Sequence, residues 1–332
     1  MRDRIVVIGT SAGGIEALRV VAAGLPSDFP APVAIVMHVS PESPRVLHDI
    51  LNRSGPLYAG PVSSGDLLRP GHIYIPPPDM HLLIEPGRVR LTRGPKENRF
   101  RPPIDPLFRT AAQVYGPAAI GVILTGNLDD GTAGLWAIKT LGGTTVVQDP
   151  ADAMFPSMPE TAARYVEVDH CVRLVDVAPL LVRLTAAPVE DYAVAVPEHM
   201  NVEIKIAREE DPLNAGLREI SEPSTVACPE CHGVLMQMKE ERRIRFRCHT
   251  GHAYSPDSLL AEISEGVEEA LWNAIRSMQE GSMFMRQLAG HVVAAHTDDD
   301  VRSLTGRADA LDQQADRLRE MVTNGAGFTP KE

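Results

Sequence analysis

The chain has 332 residues, 44% hydrophobic and 23% charged, with a formal net charge of −12. That composition excludes a disordered chain, a collagen-like repeat and a disulfide-stapled mini-protein, and the length suits about two domains. The acidic balance argues against nucleic acid and anionic membrane surfaces as partners, since neither attracts a negative protein.

The N-terminus, MRDRIVVIGTSAGG, carries an apolar run of only four residues, Ile5 to Ile8. That is too short for a signal-peptide core, and no window reaches the ~18 apolar residues of a membrane span. A soluble, cytoplasmic chain is expected. Further runs at Val33–Met37, Ile73–Ile75, Ile120–Leu124 and Thr144–Val147 lack polar alternation. Strands buried on both faces of a parallel sheet read this way. Between them Gly14–Leu25, Arg45–Arg53, Pro106–Tyr115 and Thr132–Leu141 read as helices, with Asp105 as an N-cap before proline. The alternation predicts a doubly wound, mostly parallel α/β domain over residues 1–190. Residues 71–93, HIYIPPPDMHLLIEPGRVRLT, break the pattern with prolines and a Pro86-Gly87 turn, and predict an antiparallel excursion at the sheet edge.

Residues 191–226 are polar and proline-marked and read as a linker. Residues 227–255 hold three of the four cysteines, in a zinc-ribbon-like unit. From 256 to 325 a helical hairpin is expected: Leu259, Leu260, Ile263, Val267, Ala270, Leu271, Ile275 and Met278 recur at three- and four-residue steps. A second helix is expected over about 301–322. The Asp298-Asp299-Asp300 run caps it or forms a solvated turn. Charge follows the same division, with 20 acids and 17 bases in 1–195 against 24 and 15 in 196–332.

The first strand ends in Gly9-Thr10-Ser11-Ala12-Gly13, the G-x-S-x-G spacing of a nucleophile elbow. A tight strand-to-helix turn lifts the hydroxyl clear of the sheet, where helix N–H groups can stabilise an oxyanion. A merely tight turn has the same spacing. A dinucleotide loop fits less well, because Ser11 stands where G-x-G-x-x-G has its second glycine. His38 follows the second strand directly, and Asp130 lies just past the strand at 120–124; singly they read as a loop histidine and an N-cap. Three strand ends nevertheless deliver a serine, a histidine and an aspartate to one crevice, which supplies a nucleophile, a base and a group to fix the imidazole tautomer.

Residues 1 to about 185 resemble the catalytic domain of CheB-type chemotaxis protein-glutamate methylesterases. The matching stretches are VVIGTSAGGIEAL, AIVMHVSP, RPPIDPLFRTAA, GVILTGNLDDGTAGL and QDPADAMFPSMPETA, in the family's order. The resemblance implies hydrolysis of γ-glutamyl methyl esters of chemoreceptors, with deamidation of glutamine by the same apparatus and no catalytic cofactor. It assigns Ser11 as nucleophile, His38 as general base and Asp130 as the residue that orients it, with Asp129 the near alternative. Backbone N–H groups at Ala12 and Asn127 would form the oxyanion hole. The chain departs from the family at both places: threonine usually follows the serine, and Met-Gly usually stands where Asn127-Leu128 is found. Chemotaxis members usually begin with a receiver domain, whereas here the first strand starts at Ile5, so control through a fused receiver is not expected. The alternative to an enzyme is a non-catalytic signalling scaffold that binds receptor helices or partner proteins.

Cys228-x₂-Cys231 and, after sixteen intervening residues, Cys248-x₃-His252 give four ligands at tetrahedral zinc spacing. Four protein ligands close the coordination sphere, so a structural zinc is expected. His232 and His249 are rival ligands, and Cys171, in VDHCVRLV, reads as a buried strand residue. The module's charge disfavours nucleic acid, and its helices suit docking of a protein or self-association.

Overall fold

Uninterrupted apolar runs become the strands of a sheet covered on both faces. In the computed structural model, which describes residues 3–189, 194–240, 243–292 and 298–324, Ile5–Thr10 forms β1, buried at every position. There follow α1 (Gly14–Gly24), β2 (Val33–Met37), α2 (Leu47–Ser54), β3 (Tyr58–Pro61) and β4 (His72–Ile75). A hairpin of β5 (His81–Glu85) and β6 (Arg88–Thr92) precedes α3 (Ile104–Tyr115) and β7 (Ala119–Ile123). Then come α4 (Thr132–Thr140), β8 (Thr144–Gln148), α5 (Ser157–Tyr165), β9 (His170–Val172) and α6 (Leu174–Ala186). Seven strands pair in parallel in the order β3-β4-β2-β1-β7-β8-β9. One apolar layer sets Leu107, Phe108, Leu135 and Ile138 of α3 and α4 against the sheet. The opposite layer sets Leu18, Leu51 and Leu181 of α1, α2 and α6 against it. The chain leaves β1 for β2 on one side and later places β7 on the other, and open α/β sheets bind ligands where their order reverses in this way.

Three expectations for residues 1–190 are corrected. Within 71–93, β4 belongs to the parallel sheet, and only β5 and β6 are antiparallel, as a separate two-stranded sheet. That hairpin lies on α3, where the Ile84 N–H donates to Thr110 Oγ1 at 3.0 Å, and its two-residue turn uses Gly87 at φ 71°. Asp105 does not cap α3, which starts one residue earlier with Pro103 as N-cap. Its buried carboxylate accepts the Gly134 N–H at 2.6 Å and ties α3 to α4. Cys171 is exposed because β9 is the last strand of the sheet and has a neighbour on one side only.

The residues expected to form a linker fold instead into α7 (Glu198–Ala207), α8 (Pro212–Ala215) and β10 (Ser221–Ala227). In α7 Met200, Val202, Ile204 and Ile206 are buried, and so is Glu203, which carries charge into an interior lined with arginines. β10 joins β11 (Val234–Met238), β12 (Phe246–Cys248) and β13 (Ala253–Tyr254) in an antiparallel four-stranded sheet. Residues 1–258 form one compact unit and 259–332 a second. The second unit is a helical hairpin made by the body of α9 (Pro256–Val292) and by α10 (Asp298–Thr323), whose first turn is the acidic run at 298–300. Arg286 joins the two helices, with Asp309 and Asp312 each at 2.7 Å. Among the described residues no helix is long and apolar enough to cross a membrane.

Candidate active site and metal centre

Ser11, His38 and the loop to Asp130 follow β1, β2 and β7, three adjacent strands that end on one edge of the sheet. Adjacency in the sheet therefore closes sequence gaps of 27 and 92 residues. Ser11 stands on the turn from β1 into α1, where its N–H donates to the Thr125 carbonyl at 3.0 Å. The turn needs Gly13 in the left-handed region, at φ 74°, with Thr125 and Phe155 only 3.2–3.3 Å from where a Cβ would stand. Gly126 is equally constrained: an added Cβ would lie 2.9 Å from the Ser11 Cβ and 2.7 Å from Met158. The loop after β7 is stitched to residues 155–158, with Gly126 N–H on the Phe155 carbonyl and Met158 N–H on the Gly126 carbonyl.

His38 Nδ1 lies 3.1 Å from Ser11 Oγ, and His38 Nε2 lies 2.7 Å from Asp130 Oδ2. The imidazole and the carboxylate are 3% and 2% exposed. Phe100 stacks flat on the imidazole, with centroids 3.6 Å apart and 7° between planes. Burial works against ionisation of Asp130, but its donors outweigh it and hold the carboxyl below its usual range. Those donors are His38, the Ile104 N–H at 2.7 Å, Asn98 Nδ2 at 2.9 Å and the Gly131 N–H at 2.9 Å. An ionised carboxylate only accepts, so the imidazole proton belongs on Nε2 and the Nδ1 lone pair faces the serine hydroxyl. That tautomer suits removal of a proton from Ser11. Among the described residues, the backbone N–H groups of Ala12 and Asn127 have no partner within the chain. Met37 and Val39, on either side of His38, line an apolar groove with Leu47, Pro61, Ile75 and Pro77.

Asp129 is not on the imidazole. Its carboxylate accepts Ser255 Oγ at 2.7 Å, and burial, aided by Asp257 and Asp130, pushes it up to about 7. A carboxyl raised from 3.8 binds more protons in the folded than in the unfolded chain between about pH 4 and pH 7, so it lowers stability as pH rises through that window. Asp129→Asn removes the charge and is expected to stabilise the protein by about 1–3 kcal/mol at pH 8. The gain should vanish toward pH 4, as measured by denaturant unfolding across that range.

Asn98 and Phe100 escaped the sequence analysis, and their only signal is their place just ahead of RPPIDP. A buried charge cluster also went unread. Arg109 Nη2 lies 2.6 Å from Glu97, while Arg247 Nη2 lies 3.0 Å from Glu97 and 2.8 Å from Glu203. Arg245 pairs with Glu203 at 2.7 Å. Burial opposes every one of these charges, yet the neighbouring arginines hold the Glu97 and Glu203 carboxyls below the usual range.

Cys228, Cys231, Cys248 and His252 converge, with all four ligand atoms within 4.8 Å of one another. Cys231 and Cys248 sulfurs are 3.6 Å apart, and His252 Nδ1 lies 3.7 Å from Cys228 Sγ and 3.6 Å from Cys248 Sγ. A tetrahedron with metal–sulfur bonds of about 2.3 Å has edges of about 3.8 Å, so the donor set is already spaced for an ion such as zinc. His232 and His249 lie outside the cluster.

The N-terminal part of the chain has relatives among known proteins. A family model described as CheB methylesterase matches residues 6–181. The protein-glutamate methylesterase/protein-glutamine glutaminase 1 of Xanthomonas campestris is 40% identical over 188 residues, covering 55% of this chain and 52% of the relative. This chain thus spans about half the length of that relative. A putative protein-glutamate methylesterase/protein-glutamine glutaminase of Leptospira interrogans is 39% identical over 185 residues, and 96% of it is covered. Among solved structures, the Thermotoga maritima CheB methylesterase catalytic domain superposes with a TM-score of 0.53 at 32% identity, covering 55% of this chain and all of that one.

Proposed function

Because the chain belongs to the CheB methylesterase family, we propose that it hydrolyses γ-glutamyl methyl esters of chemoreceptor-like proteins through a glutamyl-enzyme on Ser11. The observation that carries the reading is the Ser11–His38–Asp130 relay, with contacts of 3.1 and 2.7 Å. His38 Nδ1 takes the Ser11 proton as Oγ attacks the ester carbonyl, and Asp130 stabilises the imidazolium that forms. The oxyanion is held by the N–H groups of Ala12 and Asn127. Methanol leaves with the proton from His38, and water attacks the glutamyl-enzyme by the same steps in reverse. An amide in place of the ester gives ammonia instead of methanol, so glutamine deamidation uses the same groups. The apolar groove beside His38 suits the side of a receptor helix. We assign this chemistry to residues 1–190, and none of its steps calls for a cofactor.

Methanol release from a methyl-esterified receptor cytoplasmic fragment tests the reading. Release above the buffer rate, proportional to enzyme, is expected; binding of the fragment with no methanol would leave the non-catalytic scaffold instead.

We assign a structural zinc to Cys228, Cys231, Cys248 and His252, a thiolate-rich set that suits a reducing cytoplasm. Protein purified without chelator is expected to hold one zinc per chain, and Cys231→Ser to lose it with a drop of several degrees in the thermal midpoint. Metal-free wild type of unchanged midpoint contradicts the assignment. The hairpin of α9 and α10 exposes Trp272, Met283 and Phe284, which suits docking of a protein or a second copy.

A further inference from the structure

Lys96, Glu97 and Asn98 are consecutive, and each is held by a residue adjacent in sequence to a member of the Cys₃His cluster. Lys96 Nζ pairs with Glu230, the neighbour of Cys231, at 2.5 Å. Glu97 receives Arg247, the neighbour of Cys248, at 3.0 Å. The Asn98 N–H donates to the carbonyl of Ala253, the neighbour of His252, at 2.8 Å. Just beyond, the Ser255 N–H at 3.1 Å and the Ser258 hydroxyl at 3.2 Å both donate to Asn98 Oδ1. With its oxygen taken by two donors, the amide must turn its NH₂ the other way, toward Asp130 Oδ1 at 2.9 Å and Asp105 Oδ2 at 3.1 Å. Asn98 and Arg99 both have positive φ, 49° and 77°, a conformation that non-glycine residues hold only where their surroundings impose it.

We infer that the Cys₃His unit braces the esterase site: it holds residues 96–98, and Asn98 is the positioning residue that keeps Asp130 aimed at His38. The inference rests on the esterase reading. It makes turnover depend on a metal that touches neither substrate nor Ser11. The arrangement resembles the outer-shell hydrogen bonds that orient catalytic ligands elsewhere, here supplied by the knuckle at residues 228–252 of the same compact unit.

The test uses the full chain and the rate at which a fluorophosphonate labels Ser11, alongside zinc content, circular dichroism, and kcat and KM on an ester. Asn98→Ala should slow labelling and lower kcat about tenfold or more, with KM and zinc content unchanged. Ser258→Ala, which removes the hydroxyl donor to Asn98 Oδ1 and leaves the Ser255 N–H, every metal ligand and the relay in place, should slow labelling about threefold or more. Stripping zinc should slow it by a similar factor, with recovery on reloading. Labelling within twofold of loaded wild type in both variants overturns the brace. If stripping unfolds the chain, Ser258→Ala decides, since its zinc and fold can be verified directly. A wild type that is never labelled removes the esterase reading, and the brace with it.

Discussion

Ser11→Ala is expected to lower kcat by about 10⁴- to 10⁶-fold and to abolish fluorophosphonate labelling, with thermal stability unchanged. The loss corresponds to about 5–8 kcal/mol of transition-state stabilisation. It is this large because the hydroxyl supplies the bond that divides one difficult hydrolysis into two easier steps, and no neighbouring group replaces it. The fold should tolerate the change. Ser11 is partly exposed at the rim, its backbone N–H keeps its bond to Thr125, and only the contact to His38 Nδ1 is lost. An alanine variant that keeps more than about 1% of wild-type turnover would exclude Ser11 as nucleophile.

Asp130→Asn should cost about 10⁴-fold in kcat for a different reason. The carboxylate now accepts from four donors, His38 Nε2 and the N–H groups of Asn98, Ile104 and Gly131. An amide must turn one hydrogen-bearing end toward donors that need an acceptor. Presented to His38, the NH₂ drives the imidazole proton to Nδ1, which then points a donor rather than a lone pair at Ser11. The negative charge that stabilises the imidazolium is lost as well. Burial and the nearby Asp130 together push Asp105 up to about 7, so the neutral variant should let Asp105 ionise at lower pH. A kcat within tenfold of wild type, with labelling at Ser11 retained, would show that Asp130 does not set the tautomer.

The strands that carry these residues were legible because nothing polar interrupts Ile5–Ile8, Val33–Met37 or Ile120–Leu124. A serine, a histidine and an aspartate just past such runs must fall on one edge of a parallel sheet, whatever lies between. The convergence of Cys228, Cys231, Cys248 and His252 was legible from their spacing. What escaped shares one physical cause, polar residues whose partners are remote in sequence. Nothing near Glu97, Glu203 or Arg247 in the sequence marks them as interior, yet each is buried because the others neutralise it across gaps of 44 to 150 residues. The same oversight made residues 191–226 read as a linker, when α7 lies inside the first compact unit. Asn98 and Phe100 belong to a loop without periodicity, and only the fold reveals that one touches Asp130 and the other covers His38.

Hydrolysis of a methyl-esterified receptor fragment in ¹⁸O-labelled water tests the central claim most directly. Attack at the carbonyl through a glutamyl-enzyme predicts one ¹⁸O in each glutamate carboxylate freed and unlabelled oxygen in the methanol, with neither product from Ser11→Ala. Absence of methanol above the buffer rate, or ¹⁸O in the methanol rather than in the glutamate, would contradict it.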